Sequence, residues 1–297
     1  MIKKQLIPSA ALCVGTLLCT AARALTIAQT DMKLGSIKHG AGVLCNALYF
    51  GALIAAAVLA AVFAAPTSGK TEKSSHQRLS GGGAVAIGFG LLALGCGVAY
   101  DAIFVTKIGI ISTIFMIVSF AFAAAFAVLG FITLYKKEIT PALGFAYSFG
   151  GVFFALRGIF CFMNRMAIAT IPEYLLDVLS AVFGGVFFVM LGKLLSGNEA
   201  ALTRRMAVAW GTGAAELTLS TFLGTAAAKL FLGKEVSQWI VLTSAEANRY
   251  FQSVKGVDGY RLAFPAFASL GLGVLAAACV VALSLSEKES EKPDVGQ

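Results

Sequence analysis

Residues 206–232 read MAVAWGTGAAELTLSTFLGTAAAKLFL, one long apolar run with a single acidic residue, Glu216, near its middle. The hydrocarbon layer of a bilayer is about 30 Å thick, and a helix needs roughly 20 apolar residues to cross it. The run is long enough, and Glu216 falls near the midplane. A charge there costs about 2.5 kcal/mol or more even on lenient insertion scales. Carboxylates in that position are rare, and they face other helices or water rather than lipid.

Working outward, the rest of the chain has the same character. Its 297 residues are 58% hydrophobic and 13% charged, against about 25% charged in a soluble domain. Mean hydropathy is +0.85. Apolar runs at 6–28, 41–65, 83–106, 108–134, 139–163, 172–195 and 262–285 join 206–232 to predict an all-α, polytopic membrane bundle of about eight transmembrane helices. Residues 1–285 then form a single transmembrane domain, and 286–297 a charged tail expected to be disordered. Pro66 stops the second run, and Pro141 and Pro172 follow hydroxyl residues at the start of the fifth and sixth, a good opening for a helix. Ala22-Arg23-Ala24 resembles a signal-peptidase site. The apolar run continues to Ala28, so the first segment is read as a retained span.

Orientation follows from the basic residues. With the N-terminus inside, the inner segments carry twelve Lys and Arg, from Lys3 and Lys4 through Lys136 and Lys137 to Lys292, and the short outer loops carry four. This predicts an N-in, C-in topology. The net charge of +8 reflects these flanks and anionic lipid headgroups, not a nucleic acid partner. Residues 233–261 carry Trp239, Tyr250 and other apolar residues near helical spacing, which suggests an amphipathic helix anchored at the membrane interface by those two aromatics.

The polar residues inside the spans sort by depth. Arg23, Asn46, Asp101, Arg157 and Asp177 fall in the outer third, and Glu216 lies deeper. Arg157 is expected to pair with Asp101 or Asp177, each cancelling a charge that lipid rejects. Arg23 is expected to snorkel to the interface. Such a row above a deep carboxylate fits an outward-facing vestibule, and lone intramembrane carboxylates serve proton relays and ion sites. A purely structural role competes with this for each residue: an ion pair also fixes helix packing, and a hydrogen-bonded Glu216 also fills a core. Tyr49 stands beside Asn46 near the start of the second run.

Several function classes are excluded. The two histidines, His39 and His76, lie in loops, so no histidine-built metal site is expected within the spans. The six cysteines, Cys13, Cys19, Cys45, Cys96, Cys161 and Cys279, lie in apolar runs with no metal-ligand spacing and read as small packing residues. Acidic residues are isolated rather than paired, which argues against a catalytic dyad. Ala64 to Thr71, AAPTSGKT, fits a relaxed phosphate-loop pattern, and Leu79 to Gly82, LSGG, part of an ABC signature, but neither has the nucleotide-binding domain it requires. AVAIGFG at Ala84 to Gly90 and AVAWGTG at Ala207 to Gly213 hint at two four-span halves; FGGVFF occurs at Phe149 to Phe154 and again at Phe183 to Phe188, in oppositely directed spans. Gly150, Gly151, Gly184 and Gly185 are expected to allow close helix contact.

Two readings of function follow. One is a small-solute or ion transporter or permease with Glu216, Arg157, Asp101, Asp177 and Asn46 near its path. The other is a non-catalytic accessory or scaffold protein that binds lipid, a membrane protein partner or a second copy of itself. Neither calls for a cofactor. Short loops and the Lys3-Lys4 start suggest a bacterial plasma membrane.

Overall fold

In lipid every backbone N–H and C=O must be satisfied within its own segment, so each apolar run closes into a helix. The computed structural model describes residues 6–31, 36–37, 40–64, 77–78, 81–104, 109–136, 138–139, 141–165, 172–197, 201–233 and 267–285. Among them are eight long helices: α1 Ile7–Ala28, α2 Ala41–Phe63, α3 Gly81–Phe104, α4 Gly109–Lys136, α5 Pro141–Arg165, α6 Pro172–Leu195, α7 Ala201–Leu232 and α8 Phe267–Leu285. Proline opens α5 and α6, where its missing N–H costs nothing. Gly197, at φ 91°, follows α6, and its N–H bonds back to the Leu194 carbonyl at 3.2 Å. Trp239 and Tyr250 lie outside the described residues, as do the proposed interfacial helix and the tail 286–297.

Side-chain register shows that successive helices alternate in direction. Cys19 of α1 meets Tyr49 of α2, and Gly15 meets Ala56. Phe126 and Phe115 of α4 meet Phe153 and Phe160 of α5. Phe187 and Phe183 of α6 lie against Gly211 and Gly213 of α7, and Thr218 of α7 against Gly273 of α8. The odd helices therefore run together from a proximal end, where the chain begins, to a distal end. Two-residue antiparallel pairings tie the loops: Gln77–Arg78 with Glu138–Ile139 at the proximal end, and Thr30–Asp31 with Ser36–Ile37 at the distal end.

The helix at the centre is α7. It packs against α1, α2, α6 and α8, and residues 211–218 are all buried. Seven of the eight helices are long and apolar enough to cross a membrane, and α7 is the exception. Its 32 residues span about 48 Å, more than a bilayer requires, but Glu216, Ser220 and its threonines dilute its hydropathy. Those polar groups sit inside the bundle because the other helices shield them.

Glycines spaced by seven set how closely the helices approach. Gly144, Gly151 and Gly158 line the face of α5 that meets Leu195, Gly185 and Ala181 of α6. Gly90 and Gly97 of α3 meet Leu275 and Phe267 of α8 in the same way. Seven residues is two turns, so these glycines form one stripe and admit the partner backbone. The two FGGVFF segments face each other across the α5–α6 seam: Phe188 covers Gly150, Phe154 covers Gly184, and Gly151 meets the Gly185 carbonyl. The repeat is thus a self-complementary pair of knobs and holes. The AVAIGFG and AVAWGTG segments have no such relation, because α3 packs on α4 and α8 while α7 takes α1, α2, α6 and α8.

A methyl group at Gly97 would lie 2.6 Å from the Phe267 carbonyl carbon and 2.9 Å from the Ala268 nitrogen. Gly97→Ala is expected to destabilise the fold by about 1–3 kcal/mol, as overpacking does. Gly51→Ala, with nothing within 4 Å of its new methyl, serves as the control. Thermal unfolding of the two variants in one detergent checks this; equal midpoints would contradict the close α3–α8 contact.

Candidate functional site

The polar residues named from sequence fall around two buried groups, one at mid-depth and one near the distal end; a third buried pair among the described residues, Thr133 with Tyr147 at 2.7 Å, joins α4 to α5. The first is built where α7 meets the α1–α2 hairpin. On α1, Gly15, Cys19 and Arg23 recur every four residues and share one face. On α2, Tyr49 and Ala56 are two turns apart. Opposite them α7 presents Glu216, Ser220 and Gly224. Glu216 is 0% exposed. Its carboxyl lies directly over Gly15, where an added Cβ would meet the Glu216 Cδ at 2.7 Å and the Ala56 methyl at 2.6 Å. Among the described residues neither carboxyl oxygen has a hydrogen-bond partner, and one turn away the buried Thr212 hydroxyl has none either.

Toward the distal end the same seam becomes polar. Tyr49 Oη lies 3.1 Å from Ser220 Oγ and donates at 3.4 Å to the Leu217 carbonyl. Cys19 Sγ donates to the Tyr49 carbonyl at 3.6 Å and is within electrostatic reach of Glu216. Arg23, expected at the interface, is instead 2% exposed. Its Cγ and Cβ lie 2.7 and 2.8 Å from where a Cβ on Gly224 would stand. The missing side chain at Gly224 makes room for the arginine stem, which snorkelling would have left in lipid.

The second group ties α3, α5 and α8 together. Arg157 Nη1 donates to Asp101 Oδ2 at 3.2 Å, with both side chains almost fully buried. The same oxygen accepts the Ala268 N–H at 3.2 Å. Ala268 is in the first turn of α8, so a carboxylate stands at that helix's positive end. At the other end of α8, buried Arg204 of α7 donates to the Leu283 carbonyl. Both poles of α8 therefore meet a complementary charge from another helix. Asp177 is half-buried on α6, within electrostatic reach of Asp101. Phe222 of α7 and Phe267 of α8 have ring centroids 6.4 Å apart, so this group lies at about the level of Arg23.

The candidates named from sequence thus separate. Asp101, Arg157 and Asp177 come together near the distal end. Glu216 stands apart, about two turns deeper on α7. Asn46 is half-buried on α2, and among the described residues no hydrogen bond joins it to either group. The expected open vestibule does not reach Glu216 in this state, because α1 and α2 close over it. Sequence reasoning passed over Gly15, Ser220 and Gly224, and left Arg204 to a loop and Tyr49 without a role. Gly15 and Gly224 gave no signal alone; Ser220 stands at i+4 from Glu216 and was the one available clue.

Among the described residues no group of His, Cys, Asp and Glu could hold a metal ion. A groove of 580 Å³ runs along the α5–α6 seam between Phe154, Gly158, Val182 and Val189, and it is almost wholly apolar. It suits an acyl chain or an apolar helix, not a charged solute. Compared with protein-family models, curated proteins and solved structures, the chain matches none.

Proposed function

We propose that the chain is a multi-pass plasma-membrane transporter or permease for a small solute or ion, with Glu216 as its binding or coupling centre. On this reading α7 is the eighth crossing, and both chain ends lie inside the cell. Asp101, Arg157 and Asp177 stand toward the outer mouth. The observation that carries the reading is the environment of Glu216: fully buried, at mid-depth, on the helix at the centre of the bundle, with both oxygens unpartnered among the described residues. Removing a carboxylate from water without compensation is costly, so this side chain is tolerated only as the neutral acid or with a cation beside it. A residue serving packing alone gains nothing from that cost, since a leucine or glutamine fills the same space more cheaply.

The test is transport by proteoliposomes of the purified chain, screened against inorganic ions and small organic solutes. Glu216→Gln keeps the shape and removes the titratable group. It is expected to lower the rate for the transported solute at least tenfold while leaving the melting temperature within a few degrees. Unchanged rates for every solute would overturn the reading.

The sealed seam and the apolar α5–α6 groove favour a second reading, an accessory protein that binds lipid, a membrane partner or a second copy. Cross-linking from Ile159 or Val182, in the groove, distinguishes it: capture of one defined protein supports this reading, and capture of bulk lipid alone counts against it.

A further inference from the structure

The seam that holds Glu216 differs on its two sides. Toward the proximal end Leu12 of α1 and Ala60 and Ala64 of α2 are buried, and the buried hydroxyls of Thr212 on α7 and of Ser9 and Thr16 on α1 have no hydrogen-bond partner among the described residues, so no hydroxyl pair like Tyr49–Ser220 forms there. Toward the distal end, Ser220 follows Glu216 by one turn on the same face of α7, which puts their Cβ atoms about 6 Å apart. Ser220 Oγ is 3.1 Å from Tyr49 Oη, and Arg23 stands just beyond. The carboxyl itself meets Gly15 and the Ala56 methyl. Hard cations take six or more oxygen ligands, and a wall of backbone and methyl carbon leaves no place for that shell. A proton needs one oxygen and a chain of hydroxyls.

We propose that the ligand of the Glu216 site is a proton, passed from the distal end through the Tyr49–Ser220 hydroxyl pair. The inference rests on the transport reading and names its coupling ion. A hydronium that enters the seam from the distal end, past Arg23, gives a proton to the buried Tyr49 Oη as Tyr49 gives its own to Ser220 Oγ. Ser220 passes its proton, through one bridging water, to a Glu216 carboxylate oxygen. Each oxygen in the chain breaks one O–H bond and forms another, and no electrons are transferred. Rotation of the hydroxyls restores the relay. The titratable and charged groups facing this seam are Cys19 and Arg23 on α1 and Tyr49 on α2. From α6, Asp177 stands at the distal level next to Leu176, which packs with Leu217. α8 meets α7 here through Gly273, against Thr218 and Leu219, and among the described residues of α8 the titratable side chain is Cys279.

The test is infrared difference spectroscopy of the full chain in phosphatidylcholine vesicles during exchange from H2O to D2O. A carboxylic C=O band that disappears in Glu216→Gln reports the protonated side chain, and its deuterium shift reports how fast protons reach it. The expected result is exchange at least tenfold slower in Tyr49→Phe and in Ser220→Ala, with Thr212→Val unchanged. Two relay variants keep the test decisive if one of them misfolds. Wild-type exchange rates in both would overturn the relay and leave the Glu216 centre standing. A band absent from the wild type at every pH would overturn the protonatable centre itself. A band abolished by sodium or potassium at constant pH would replace the proton with a metal cation.

Discussion

Arg157→Met is expected to destabilise the bundle by about 3–5 kcal/mol, the usual cost of leaving one member of a buried ion pair alone. Asp101 would keep its bond from the Ala268 N–H but lose the guanidinium, in a position that is 2% exposed. The loss would fall on three helices together, because Asp101 joins α3 to α5 and also caps α8. Replacing both partners with apolar residues is expected to cost much less, since an apolar pair of similar volume is often neutral. Asp101→Leu with Arg157→Met should therefore recover most of the stability and leave only the α8 cap loss, of up to about 2 kcal/mol. Denaturation of the two single variants and the double in one detergent gives the coupling energy directly. Additive losses would mean that the two side chains are held independently, against the 3.2 Å contact.

That cycle bears on what the sequence could and could not disclose. The helices were legible because an apolar run of about 20 residues bounded by charge or proline has few alternatives. The run read as 172–195 coincides with α6, and the one read as 206–232 begins five residues inside α7. Which helices sit at the centre was not legible. The spans Ala41–Phe63 and Phe267–Ser284 have the same mean hydropathy of 2.2, yet 22% of the first and 67% of the second is buried. Lipid and protein interior are equally apolar, so the contrast that marks a core face in water is missing. The glycine heptads carried that information instead: Gly144, Gly151 and Gly158 mark the contact face of α5 at the spacing of a helix seam. Charged residues in apolar runs announced themselves, which is why Asp101, Arg157 and Glu216 were found. Their surroundings did not, because Gly15 and Gly224 matter through the side chains they lack.

Gly15→Ala tests that last point and is expected to disrupt the α1–α7 seam. The added carbon would fall on the Glu216 carboxyl and 2.6 Å from the Ala56 methyl. It could be accommodated only if α1 moved off α7 or if Glu216 left its position. Overpacking alone costs about 1–3 kcal/mol, and displacing a buried acid adds the cost of remaking its surroundings. On the transport reading the activity should fall further than the stability, because the carboxyl is moved from the point where solute or proton reaches it. The two effects separate in the double variant. Glu216→Ala removes the atoms that the new methyl strikes, so Gly15→Ala in that background should cost less than it does in the wild type, and the stabilities of the two changes should not add. Activity should not return, because the acid is gone. If the cost of Gly15→Ala is the same with and without the Glu216 carboxyl, the close approach of α1 to α7 is not made through that side chain. Glu216 would then have to be sought on another face of α7.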